Sequence, residues 1–293
     1  MKISAIIVVK NDDMALWHTF NSVFAQLKEY DDFEIIIIDD DSDSFTLKEY
    51  FGRRNFDSRV RYERVSFNTP PDARNYGAKI ATGDLLLFLD SHVILGDNTV
   101  GKIIEFFNNY QTAMIGFIPL IRHPGSPLES HHHIHWDKDL YFDWLGPKNE
   151  SFKCASGGHG AFAVRKYWWD KLGGYFNGLN GYSVAEEVYL NTFSWMNGGE
   201  NWVISNVYQI HNDWGRTYKQ NQDLIRSNHL MVAYILGGDK YFNIVRYNYA
   251  PNFDENFYNN LKILLKDARQ KVINTGVNLD DLLNKFKVEN IDY

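Results

Sequence analysis

Apolar residues along this chain fall into two rhythms. Residues 3–9 form a continuous apolar run, the pattern of a parallel strand covered on both faces. Leu16, Phe20, Val23, Phe24 and Leu27 then recur at helical spacing. A second run over 33–38 stops abruptly at Asp39-Asp40-Asp41-Ser42; a short helix is expected over 47–53, and 60–66 reads as another strand. Residues 72–81 look helical, with Pro70-Pro71 ahead and Gly83 behind as start and stop signals. The run over 85–89 is again a strand that ends on an acid, Asp90. Such alternation predicts βαβ units and a mostly parallel sheet flanked by helices, an α/β fold of Rossmann-like layout.

Beyond Ile121 the rhythm breaks. Residues 122–150 mix prolines and glycines with aromatics and four histidines, His131, His132, His133 and His135. Trp136, Tyr141, Phe142 and Trp144 need a surface to pack on, so this segment reads as a long functional loop or insertion rather than a linker. A strand over 161–164, helices over 166–172 and 184–196, and a strand over 202–210 follow. From about Thr217 the chain is mainly helical, with Leu261, Leu264, Leu265, Ala268 and Val272 marking one amphipathic face. The expected division is an α/β domain over 1–216 and a helical C-terminal extension over 217–293 packed on it.

Composition narrows the class. With 293 residues, 44% of them hydrophobic, the chain can bury a substantial core. Its longest apolar stretch, 113–121, falls well short of the roughly 18–20 residues that span a bilayer, so no transmembrane segment is expected. The N-terminus enters a strand without a leader pattern, and the lone Cys154 excludes an intrachain disulfide. Both suit a reducing, cytoplasmic compartment. A net charge of −7 speaks against a wholly basic nucleic-acid coat.

The acids at the strand ends carry the first chemical signal, because open α/β sheets bind ligands beyond the carboxyl ends of their strands. Asp39, Asp40 and Asp41 at one end and Asp90 at another would share a crevice if their strands are neighbours. A single Asp there is as readily a turn cap. In Asp90-Ser91-His92, an extended backbone would turn the carboxylate and the imidazole the same way, toward one ion. Mixed oxygen and nitrogen ligation fits Mn²⁺, Zn²⁺ or Fe²⁺ better than Ca²⁺. His211, at the end of the 202–210 strand, is the best third ligand, although a histidine at a strand end is ordinarily just hydrogen-bonded.

These pieces follow one another as in a known family. Ser4-Ala5-Ile6-Ile7-Val8-Val9-Lys10-Asn11-Asp12 resembles the opening strand of GT-A glycosyltransferases of the family 2 type, and Ile38-Asp39-Asp40-Asp41-Ser42-Asp43 resembles their D-D-x-S signature. Ala73-Arg74-Asn75-Tyr76-Gly77-Ala78, Ala81-Thr82-Gly83-Asp84 and Phe88-Leu89-Asp90-Ser91-His92 come in the family's order and spacing. The Asp-Ser-His tripeptide is similar to the D-x-H of polypeptide N-acetylgalactosaminyltransferases. Ala155-Ser156-Gly157-Gly158 resembles that group's glycine pair, and Glu186-Glu187 stands where the family has its acids. Trp195-Met196-Asn197-Gly198-Gly199 resembles the W-x-x-G-G ending, and Ile210-His211 the late G-H. The resemblance covers about residues 3–216.

It implies a GT-A fold, a nucleotide-sugar donor, most simply UDP-linked, and a hydroxyl acceptor. By position, Asp40 would contact the base or ribose, with Val9 and Asn11 lining the same pocket. Asp90, His92 and His211 would hold Mn²⁺, with Ser91 beside them. Arg74 would lie near the nucleotide, and Arg216 or Tyr218 would close over the diphosphate. Gly157, Gly158 and Glu186 would surround the donor sugar. If transfer inverts, Glu187 or Glu186 takes the acceptor's proton; if it retains, the leaving phosphate takes it and Glu186 only positions sugar. Both acids also suit an ordinary helix N-terminus.

The chain departs from the pattern too. Ser183 replaces the tryptophan of the W-G-G-E motif, and Glu-Glu replaces Glu-Asp. With no lectin domain or membrane anchor in view, polypeptide glycosylation in a secretory compartment is not expected. A glycan is the leading acceptor, with His131 to His135 contributing an acceptor loop. Arg53, Arg54, Arg59, Arg61 and Arg64, interleaved with Phe56 and Tyr62, keep DNA on the list, as in phage enzymes that decorate hydroxymethylated bases; an ordinary solvated loop is the plainer reading. The expected setting is a bacterial or phage-infected cytoplasm. A nucleotidyltransferase is the rival enzyme class, but Lys10-Asn11-Asp12-Asp13 lacks the glycines of a triphosphate loop. A non-catalytic nucleotide-sugar binding module is the remaining alternative.

Overall fold

The computed structural model describes residues 1–43, 49, 57–123, 125–179, 184–212 and 221–292. The helix expected over 47–53 lies outside these residues except for Glu49, as do Arg53, Arg54, Ser183, Arg216 and Tyr218. Strand β1 (Ile3–Val9), helix α1 (Asp13–Leu27), β2 (Phe33–Asp40), β3 (Val60–Val65), α2 (Pro70–Ile80) and β4 (Leu85–Asp90) open the chain. They are followed by β5 (Val93–Leu95), α3 (Thr99–Asn109), β6 (Ala113–Phe117), β7 (Leu120–Ile121), β8 (His131–Ile134), β9 (Phe142–Leu145) and β10 (Phe152–Lys153). Next come β11 (Ala161–Arg165), α4 (Lys166–Leu172), α5 (Ala185–Met196), β12 (Glu200–Val203) and β13 (Gln209–His211). Helices α6 (Gln222–Asn248), α7 (Glu255–Leu264), α8 (Lys266–Ile273) and α9 (Leu279–Val288) complete it.

Eight strands form the central sheet in the order β10-β12-β6-β11-β4-β1-β2-β3. The four strands from β4 to β3 run parallel, as their unbroken apolar runs predict, and β1, β2 and β4 are buried on both faces. The other half is mixed, because β11 runs antiparallel between β4 and β6. Strand direction leaves no trace in hydrophobic rhythm, yet the mostly parallel expectation holds: β6 and β12 run with the parallel block, and β11 and β10 are the two strands that oppose it. Helix α2 starts at Pro70, ahead of the expected 72–81: the Thr69 hydroxyl accepts the Asp72 N–H and the two prolines fill the first turn.

Three other expectations need correction. The strand expected over 202–210 is two strands in different sheets, because the chain turns at Asn206 (φ 59°). Its second half, β13, pairs with β5 and β7 in a small sheet of its own. The insertion over 122–150 is built on a β8–β9 hairpin rather than a loop. Leu264 leaves the amphipathic face it was expected to share: the helix breaks at Leu265, so Leu261, Leu265 and Val272 are buried while Leu264 is exposed.

Helix α6 packs on α5, and its Leu230, Val232 and Ile235 join one core with Phe88, Phe162 and Val188 of the sheet domain. The far C-terminus returns to the sheet, where Asp292 O accepts the Ala155 N–H. Among the described residues no helix is long and apolar enough to cross a membrane.

Candidate functional site

The carboxyl ends of β1, β2 and β4 lie side by side, with β1 in the middle, and this brings the two acidic clusters to one edge of the sheet. Asp90 closes β4, and the backbone turns through Ser91 and His92 before β5 begins. Asp90 and His92 therefore face each other across a turn, and not by the alternation of an extended strand. The third residue arrives through pairing: β13 runs antiparallel to β5 with His211 opposite Val93, and the Asn212 N–H donates to His92 O at 3.0 Å. One ligand atom from each of Asp90, His92 and His211 lies within 4.8 Å of the others. His211 Nε2 is 3.3 Å and His92 Nε2 3.8 Å from the same oxygen, Asp90 Oδ2. One carboxylate with two imidazoles is a donor set that fits a divalent transition ion.

Neighbouring residues hold this cluster in shape. Asp12, in the β1–α1 turn, accepts from the Ser91 hydroxyl at 2.7 Å and lies 3.0 Å from His92 Nδ1. With its proton on Nδ1, His92 turns the Nε2 lone pair toward Asp90. Arg74, buried on α2, donates from Nη2 to Asp90 Oδ1 at 2.5 Å and to His159 O at 3.3 Å. Burial works against the charged form of Asp90, but Arg74 and the two histidines outweigh it and hold the carboxyl well below its usual range. Sequence reasoning put Arg74 near the nucleotide; the structure pairs it with the acid.

The glycine pair lies under the same edge. A β-carbon on Gly157 would come within 2.4 Å of the Phe117 ring, and one on Gly158 within 2.3 Å of Trp144, so only glycine fits this close approach. His159, next in sequence, is fully buried: its Nε2 is 2.9 Å from Asn191 Oδ1 and its Nδ1 2.6 Å from the Tyr175 hydroxyl. Burial, reinforced by the charge of Arg74, pushes it down to about 3, so it stays neutral. Its N–H donates to Glu187 Oε1 at 3.2 Å. Glu186 and Glu187 begin α5. Burial and the charge of its neighbour raise Glu186 to about 8, and burial raises Glu187 to about 7. Carboxyls in that range suit proton transfer near neutral pH better than ordinary helix-start acids.

The remaining predicted residues spread along the strand ends. The Val9 side chain is enclosed in the α1-side core, so its backbone is the part at the strand's end. Asn11 (φ 53°) bridges to the β2 end, its Oδ1 accepting the Asp43 N–H at 2.7 Å. Asp40 Oδ1 accepts the N–H groups of Phe67 and Asn68 at 2.7 and 2.9 Å. Arg59 pairs with Asp57, Arg61 with Glu63, and Arg64 with Asp39 and Asp41. Of the histidines, His131 faces Asp292 and His132 lies wholly buried, whereas His133 is exposed and lines a cavity of about 560 Å³ with Trp136, Tyr241, Asp280 and Lys287. Cys154 is buried, its thiol pushed up by that burial, and serves as packing.

Sequence reasoning missed Asp12 and His159 as parts of this constellation, and it put His132 in an acceptor loop without pairing it to Glu187. His159 follows the glycine pair directly, which is a usable signal; the other two reach the site only through tertiary contacts.

A mostly parallel sheet with acids at its strand ends and a carboxylate–imidazole cluster beyond them is the GT-A fold. Residues 4–172 match glycosyl transferase family 2, and the chain belongs to that family. It is 33% identical over 191 residues to N-acetylgalactosaminyltransferase 6 of Drosophila melanogaster, covering 57% of this chain and 27% of the fly protein. A crystal structure of GalNAc-T7 with UDP, GalNAc and Mn²⁺ superposes with a TM-score of 0.74 at 20% identity, over 92% of this chain and 54% of that one. S. aureus TarS in complex with UDP-GlcNAc gives 0.60 at 16% identity, over 93% and 79%. This chain thus spans about a quarter of the fly relative and about half of the GalNAc-T7 chain.

Proposed function

We propose that this protein transfers a sugar from a nucleoside-diphosphate donor, UDP-linked, to a hydroxyl of a carbohydrate acceptor, using Mn²⁺ held by Asp90, His92 and His211. The observation that carries this reading is the convergence of that cluster with Arg74, the glycine pair and two enclosed carboxyls at one sheet edge. A bound dication supplies charge that stabilises the leaving diphosphate. Asp12 orients His92, and Arg74 keeps Asp90 ionised and aimed. Val9, Asn11 and Asp40 line the base and ribose, and Arg74 and Ser91 stand near the phosphates. Gly157, Gly158 and Glu186 surround the sugar, and Glu187, the more open of the two acids, meets the reacting hydroxyl. Two structural neighbours, one with UDP, GalNAc and Mn²⁺ and one with UDP-GlcNAc, support the donor class.

A glycan acceptor is favoured over DNA. The three described arginines of the basic run are already ion-paired within the chain, and the cavity at His133 offers aromatic rings beside polar groups, a lining suited to sugars. We place the transferase unit at 1–216, with the helices of 217–293 as its support, in a reducing cytoplasmic compartment. The test is release of UDP from UDP-GlcNAc, UDP-GalNAc and UDP-glucose with Mn²⁺ or with EDTA, water serving as acceptor. Manganese-dependent release from one donor supports the reading. Metal-independent binding without release from any donor supports the non-catalytic module instead.

A further inference from the structure

Among the described residues, four enclosed polar atoms around α5 find no hydrogen-bond partner: Arg74 Nε, His132 Nε2, Glu186 Oε2 and Glu187 Oε2. Protein interiors rarely leave such atoms unpaired, so several together mark where a ligand's polar atoms belong. His132 and Glu187 are the best defined of them. Their two atoms are 3.7 Å apart, too far to bond each other. One oxygen about 2.8 Å from each would bond both.

Neither side chain is free to close the gap. The His132 ring stacks on Phe142 with centroids 3.5 Å apart and stands edge-on to Trp144 at 4.3 Å. Glu187 is held at its other oxygen by the His159 N–H. Asn191 Nδ2 donates to Ser156 Oγ at 2.8 Å, and Ser156 Oγ lies 3.2 Å from His132 Nδ1. When the Ser156 hydroxyl gives its proton to Nδ1, the imidazole proton sits on Nε2, aimed at the point that Glu187 Oε2 also faces. A sugar hydroxyl accepts from an N–H and donates to a carboxylate through one oxygen, taking the place a buried water would otherwise fill.

We propose that His132 and Glu187 bind a single carbohydrate hydroxyl between them and so read its position on the ring. This rests on the transferase reading above. The hydroxyl belongs either to the transferred sugar or to the acceptor, and the chemistry is the same for both.

His132→Phe keeps a flat ring in the stack and deletes both nitrogens; Glu187→Gln is a second, isosteric variant. Thermal melting and calorimetric affinity for UDP report that each remains folded. For a hydroxyl of the transferred sugar, affinity for UDP-GlcNAc or UDP-GalNAc falls about 10- to 100-fold while affinity for UDP holds. One member of a deoxy-sugar donor series then binds unaltered protein and variant alike. For an acceptor hydroxyl, donor affinity holds and KM for an aryl glycoside acceptor rises by a similar factor, with one deoxy acceptor insensitive to the change. Unaltered affinity for every donor and acceptor in both folded variants overturns the proposal. If the unaltered protein binds no nucleotide sugar at all, the transferase reading fails first.

Discussion

Arg74 donates to Asp90 Oδ1 at 2.5 Å, while the other oxygen of the same carboxylate faces His211 at 3.3 Å. One side chain thus secures the acid from behind and leaves its front for the cluster. Replacing Arg74 with Met removes the pair's only cation from α2 and leaves Asp90 enclosed without it. We expect a loss of about 3–5 kcal/mol in urea unfolding. A loss within error of zero would mean that the histidines alone carry the Asp90 charge.

Asp12 is expected to matter for metal affinity more than for stability. It lies 3.0 Å from His92 Nδ1 and fixes which nitrogen faces Asp90. Asp12→Ala should weaken Mn²⁺ binding about 10- to 100-fold, measured by the paramagnetic resonance of free ion. Unchanged affinity would remove Asp12 from the account.

Gly158 tests the packing under the sugar side of the site. A β-carbon there meets Trp144 Cη2 at 2.3 Å, so Gly158→Ala should cost about 1–3 kcal/mol. Trp144→Phe deletes the ring atoms in the way and should recover most of that loss in the double variant. Additive losses would contradict this geometry.

The two α5 carboxyls give a pH dependence with a definite sign. Burial lifts Glu186 to about 8 and Glu187 to about 7, against an unfolded value of 4.5. The fold favours their neutral forms, so their contribution to stability is complete below pH 4.5 and is lost as pH rises through 7 to 8. In metal-free protein, the melting temperature of unaltered protein relative to Glu186→Gln should therefore fall between pH 5 and pH 9. A constant difference across that range would place Glu186 in a wetter setting than the structure does.

Much of this was legible before any coordinates. The apolar runs of β1, β2 and β4 are continuous because both faces are covered, and that pattern names parallel strands ending on Asp39-Asp40 and Asp90. The triad was readable through motif order, although its geometry was not: Asp90 and His92 meet across a turn, and His211 arrives by pairing β13 with β5. Direction left no mark on β11, whose apolar run reads the same either way. The β8 strand hid because two of its three buried positions are histidines, which hydrophobic rhythm counts as polar. His132 and Asp12 act through partners far away in sequence, and one sequence alone does not pair them.

Calorimetric titration of UDP-GlcNAc and UDP-GalNAc, with and without Mn²⁺, tests the central claim most directly when run on unaltered protein and on His211→Ala. The account predicts tight donor binding only with Mn²⁺, and its loss in the variant. Donor binding that ignores both the metal and the substitution would contradict it.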